Sequence, residues 1–159
     1  MDPHARFGTD LRLLDDLERQ DSRNRGRDLV VTRRRPDPDL VDLDTVSAAE
    51  NLQHALLLRF LTQTGELAAV GHPTYGTALP DLIGERNTET TRNRTKMLVL
   101  QALAEEPRVE RVLDLQVTQA ADDPSRIDVR ASLLAIGADT PLNLVFGFSL
   151  AGGLVGGGP

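Results

Sequence analysis

Three consecutive residues carry the densest chemistry in this chain: Glu106, Pro107 and Arg108 place an acid and a base on either side of a rigid residue. Proline restricts the backbone, so less entropy is lost when the two charges engage a partner. That arrangement suits recognition of another protein better than catalysis. The bland alternative is an ordinary helix-to-strand corner with solvated charges. Glu105 and Glu106 form a carboxylate pair, but a glycosidase needs one acid whose pKa is raised by burial. Adjacent acids beside Arg108 are expected to stay ionised. His4, His54 and His72 lie far apart and lack metal-ligand spacing. His54 reads as a helix-surface or satisfied core histidine. Ser47 reads as a helix cap, since no G-x-S-x-G turn surrounds it. The glycines at 152, 153, 156, 157 and 158 precede no helix and make no phosphate cradle. From residue types alone the expectation is no catalytic residue, no metal and no cofactor, and Glu106, Pro107 and Arg108 stay open between a solvated corner and a recognition corner. If they are surface charges, Arg108→Glu leaves the isolated fold largely intact.

The elements that must position this corner are legible from periodicity. Ser47 and Glu50 have capping-box spacing, and Ala48 to about Gln63 contains no Pro or Gly. Leu52, Leu56 and Phe60 make one stripe, widened by Ala55, Leu58 and Leu61. Ala55–Leu58 is apolar nearly all round, which predicts burial on more than one side, and Gly65 is the expected stop. A loop follows, GHPTYG from Gly71 to Gly76, then one helical turn from Leu79 to Ile83 closed by Gly84. The spacing predicts a second helix over Glu89–Ala104, capped by Thr88 or Asn87, with Leu100 and Leu103 in its core stripe. It ends where Pro107 forces Glu106 out of helical geometry.

Beyond Arg108 the period becomes two. Val109 to Thr118 alternates loosely; Ile127, Val129, Ala131 and Leu133 alternate cleanly, as do Leu142, Leu144, Phe146 and Phe148. Turns at Asp122–Ser125 and Gly137–Pro141 make this an antiparallel meander. The last strand, Leu142–Leu150, is a candidate exposed edge for strand addition. The Gly-rich end, AGGLVGGGP, is expected to be mobile. Upstream, Phe7–Leu14 reads as a short strand or docking segment, Leu17–Gly26 as a loop and Asp28–Thr32 as a short strand. The run Arg33–Arg35 beside Asp37, Asp39, Asp42 and Asp44 reads as a self-neutralising edge, or else a docking strip for an acidic surface.

Composition bounds the function. The chain has 159 residues, which suits one domain, or one domain plus an arm. With no Cys, disulfides and cysteine-ligated metals are excluded. Lys+Arg 18 against Asp+Glu 24 leaves a net charge of −6, which disfavours nucleic acid as a partner. Aromatics are 3%, too sparse for sugar or base stacking platforms. No run is long enough to span a bilayer, and MDPHARFGTD lacks the basic and apolar regions of a secretory signal. The expectation is therefore a chain that starts in the cytoplasm and does not insert in a membrane.

The ordered set of these pieces resembles the baseplate wedge proteins of contractile tails, both the W-type phage proteins and the E subunit of the type VI secretion baseplate. The matching residues are Glu50-Asn51-Leu52, Leu56 to Leu61 with Arg59, and Thr62 through Gly65-Glu66-Leu67. His72-Pro73-Thr74-Tyr75-Gly76, Leu79 to Gly84 and Glu106-Pro107-Arg108-Val109 match as well, so the likeness covers about Asp44 to Leu150. It implies an α+β fold, two main helices on a small antiparallel sheet, like the interlocking domain of tail-sheath subunits. The implied layout is a charged segment over 1–44, a wedge-like core over 45–150 and a Gly-rich tail over 151–159. The implied role is structural, with six copies around the tail hub after assembly in the cytoplasm. The implied partners are other wedge subunits, hub or core-bundle proteins and sheath subunits, with contacts through Glu106, Pro107 and Arg108. A lysozyme-like glycan hydrolase is the alternative, because some members carry a lysozyme label. A regulatory adaptor on the same fold is a third option.

Overall fold

The computed structural model describes residues 7–13, 30–33 and 40–155. The predicted loop over 17–26, together with Arg34, Arg35, Asp37 and Asp39, lies outside them. The chain runs through β1 (Thr9–Leu11), β2 (Val31–Arg33), β3 (Val41–Leu43), β4 (Thr45–Ser47), α1 (Ala48–Leu61) and α2 (Glu89–Ala104). It then forms β5 (Val109–Gln119), β6 (Arg126–Ala135), β7 (Leu142–Ser149) and β8 (Gly153–Val155). This is the expected α+β class: two helices and antiparallel sheets. The main sheet has the order β5-β6-β7-β8.

The clean alternation of β6 and β7 becomes one apolar face. Register aligns Val117, Val129 and Phe146 in one row, Leu115, Ala131 and Leu144 in the next, then Val112, Leu133 and Leu142. The loose pattern of β5 has a geometric cause. Its register shifts between Val109 and Arg111 and again between Val112 and Asp114, so Val112 and Leu115 share a face although they are an odd number of residues apart. Helix α2 packs on β5, and Phe60 of α1 stacks on Phe146 of β7 with centroids 4.9 Å apart.

Helix α2 has the predicted bounds. Its N-cap is Thr88, whose hydroxyl accepts from the Thr91 amide at 3.2 Å. Its buried stripe is Thr91, Thr95, Val99, Ala102 and Leu103, so Leu100 lies at the margin. In α1, Leu52, Leu56 and Phe60 are buried as expected, but Leu61 is 40% exposed and Leu57 takes its place in the core. The helix also ends before Gly65, at Leu61, with Thr62 extended.

The capping box does not form. Ser47 has no side-chain cap bond, and Glu50 accepts instead from Arg12 at 2.7 Å. Arg12 also holds Asp44 at 2.6 Å. A long-range arginine thus takes the carboxylate that local spacing assigned to the helix end. Asp44 belongs to this half-buried clamp rather than to a fully solvated edge. Residues 7–13 are strapped onto α1: Phe7 is buried in the core, its carbonyl accepts from Asn51 Nδ2 at 2.8 Å, and β1 pairs with β4.

His54 is a core histidine, 1% exposed, and its Nε2 accepts from the Leu13 amide at 3.1 Å. Burial lowers its pKa below 6.5; Arg12 acts in the same direction, while Asp10 and Glu50 oppose it. The unfolded chain therefore takes up a proton before the folded one does. The contribution is full above pH 6.5 and declines as pH falls below it. The urea midpoint should drop between about pH 7.5 and pH 5.5, and His54→Gln should flatten that slope. An unchanged wild-type midpoint across this range would contradict the assignment.

The Gly-rich end is partly ordered: Gly153–Val155 form β8, paired with Gly147–Ser149 of β7. The chain itself occupies that part of the edge, so the expected open edge is reduced to Leu142–Phe146, which have no strand partner on that side among the described residues. Residues 156–159 lie outside the described set.

Candidate partner-binding corner

The helix-to-strand corner is built by α2 ending at Ala104, with Glu105 as its C-cap. The Glu106 carbonyl accepts from the Val109 amide at 3.0 Å, which launches β5. The side chain of Glu106 turns inward and is only 6% exposed. It accepts from Arg108 Nε at 2.6 Å and from the Arg108 amide at 3.3 Å. On its other side lies Arg59 of α1, with Nη2 at 3.6 Å.

Burial by itself pushes the Glu106 carboxyl up. The hydrogen bonds and charge of Arg108, and the charge of Arg59, outweigh this and hold it below its ordinary value of 4.5. The tripeptide therefore divides its labour. Glu106 is an internal anchor, Pro107 is exposed, and Arg108 is fixed in one orientation with its side chain 30% exposed. With Glu106 buried, Arg108→Glu is expected to destabilise the isolated fold, because that change sets two carboxylates against each other.

The residue that sequence reasoning left without a role is Arg59. It is 9% exposed, lies over the Tyr75 ring at 4.6 Å, and touches Glu105 as well as Glu106. Its signal was an arginine directly after the Ala55–Leu58 segment, which is apolar nearly all round. Tyr75 comes from the Gly71–Gly76 loop. That loop is anchored where the Thr77 amide donates to the Thr62 carbonyl at 2.9 Å. Gly76 sits at φ +108°, and a Cβ there would lie 2.6 Å from the Thr62 oxygen, so this turn requires glycine. Burial raises the Tyr75 pKa. The loop, Arg59 and Glu105 border an open cleft of about 420 Å³ lined by Gly71, His72, Pro73, Thr74 and Tyr75.

His54, His72 and Ser47 do not converge: His54 is in the core, His72 is in the exposed loop and Ser47 is in β4. His4 lies outside the described residues. Among those residues, no group of three or more His, Asp or Glu side chains could hold a metal, and no helix is long and apolar enough to cross a membrane.

The fold defines a small α+β domain whose two helices meet an antiparallel sheet, with a charged corner where the second helix becomes the first long strand. No protein-family model matches the chain, and neither does any curated protein. Among solved structures, it is similar to the crystal structure of a "putative tail lysozyme" from Geobacter sulfurreducens, with a TM-score of 0.57 and 24% identity. The match covers 65% of this chain and 93% of that one. The two chains share a fold.

Proposed function

We propose that this chain is a structural baseplate wedge subunit of a contractile tail or injection system, and not an enzyme. In this reading six copies surround the tail hub. They bind other wedge subunits and core-bundle proteins and template the first sheath ring, after assembly in the cytoplasm. The fold shared with a protein named for a tail supports a tail-associated role, and the sequence resemblance supports the finer assignment.

The observation that carries the reading is the state of Glu106. A glycan hydrolase needs a carboxyl that stays protonated to deliver a proton to the leaving oxygen. Glu106 is buried but held below its ordinary pKa between two arginines. That makes it a fixed counter-ion which sets the direction of Arg108. A guanidinium held this way beside a rigid proline is preorganised for a protein surface.

Co-expression with the products of neighbouring genes tests this. Wild type should co-purify in a complex seen as wedges by electron microscopy. Arg108→Gln should remain folded and lose at least about tenfold in affinity for that complex. Equal assembly of both forms would remove Arg108 from the interface. Cleavage of peptidoglycan by the purified chain would replace the wedge reading with the hydrolase one.

A further inference from the structure

Arg59 is poorly satisfied for a buried group. A guanidinium has five N–H donors in a rigid fork. Its two ion contacts, Nη1 to Glu105 and Nη2 to Glu106, are both 3.6 Å, longer than a hydrogen bond. Its Nε is buried with no hydrogen-bond partner. Buried donors without acceptors carry a desolvation cost that paired ones do not. Yet its charge is already opposed by two carboxylates. The Nε is itself closed to solvent, so an incoming acceptor would meet the Nη groups, whose carboxylate contacts are long.

The cleft beside it fits that need. Glu105 lines the same space with its side chain 45% exposed, so an incoming carboxylate would meet a like charge. An uncharged carbonyl oxygen would not. Arg59 and Glu105 together offer donors beside an acceptor, the complement of the C=O and N–H along one edge of an extended chain. Pro73 and Tyr75 add ring surfaces to the wall. The volume falls within the range of about 300–1,000 Å³ usual for binding clefts.

We propose that this cleft docks an extended, uncharged segment of a partner protein, with Arg59 donating to its carbonyl oxygens and Glu105 accepting from its amides. The proposal rests on the reading of the corner as a partner surface, and it adds the chemistry of what is bound.

The test selects binders to the full chain from a displayed library of short random peptides, then compares wild type, Arg59→Lys and Glu105→Arg by fluorescence anisotropy. Glu105 is exposed, so Glu105→Arg keeps the test valid if Arg59→Lys fails to fold. Selected segments should lack Asp and Glu and bind both folded variants at least about tenfold more weakly. Failure to select any segment sensitive to Glu105→Arg overturns the proposal, as does selection of acidic segments whose binding needs their carboxylate. Co-assembly with neighbouring gene products, measured in parallel, separates the two ideas. Assembly without cleft-dependent peptides removes this inference alone, whereas cleft-dependent peptides without assembly remove the wedge assignment and leave the groove.

Discussion

Replacing Glu106 by alanine is expected to lower stability by about 3–5 kcal/mol, the usual cost of stripping the partner from a buried charge. The carboxylate is 6% exposed and faces Arg108 at 2.6 Å and Arg59 at 3.6 Å. Without it, Arg59 remains in the interior with only the equally long 3.6 Å contact to half-exposed Glu105. The acid side gives a second readout. A carboxyl held below 4.5 contributes stability that is full above that pH and is lost as pH falls through its folded pKa. Wild type should therefore lose stability in acid more steeply than Glu106→Gln. Urea unfolding of both variants, at neutral pH and in acid, measures each effect. A change under about 1 kcal/mol at neutral pH would show that Glu106 is not the buried counter-ion.

The second large effect is at Phe60. Phe60→Ala should cost about 3–5 kcal/mol, because the ring is 1% exposed and stacked on Phe146. The adjacent Leu61→Ala should cost less than about 0.5 kcal/mol, since that side chain faces solvent. The contrast between neighbours fixes the rotation of α1. Similar losses at both positions would mean that the helix is turned toward the core by a different face.

Leu61 also shows where sequence reading runs out. A leucine at the end of an apolar run is assigned to the core by type alone, whereas burial depends on which way the run faces the sheet. Helix α2 was legible because its signals are local: Thr88 caps it and Pro107 limits it. The β6 and β7 faces were legible because strict alternation survives folding unchanged. The β5 pattern was blurred by two bulges, which single-strand periodicity does not reveal. The capping box failed because Arg12, 38 residues upstream, takes Glu50. At the corner, the motif marked the right place but not the direction of each side chain. Sequence spacing puts Glu106 and Arg108 side by side; it does not bring Arg59 from another helix beneath them, which is what turns Glu106 inward.

The irregular margins of the sheet affect how copies of this chain behave at high concentration. Strand β5 bends at two register shifts and carries Glu110, Arg111 and Asp114 there. At the opposite margin, a three-residue strand begins with glycine and covers part of β7. Straight, flat, uncharged edges are what promote fibre growth between identical molecules. The β5 margin lacks that form, so concentrated preparations are expected not to grow amyloid-like ribbons through it.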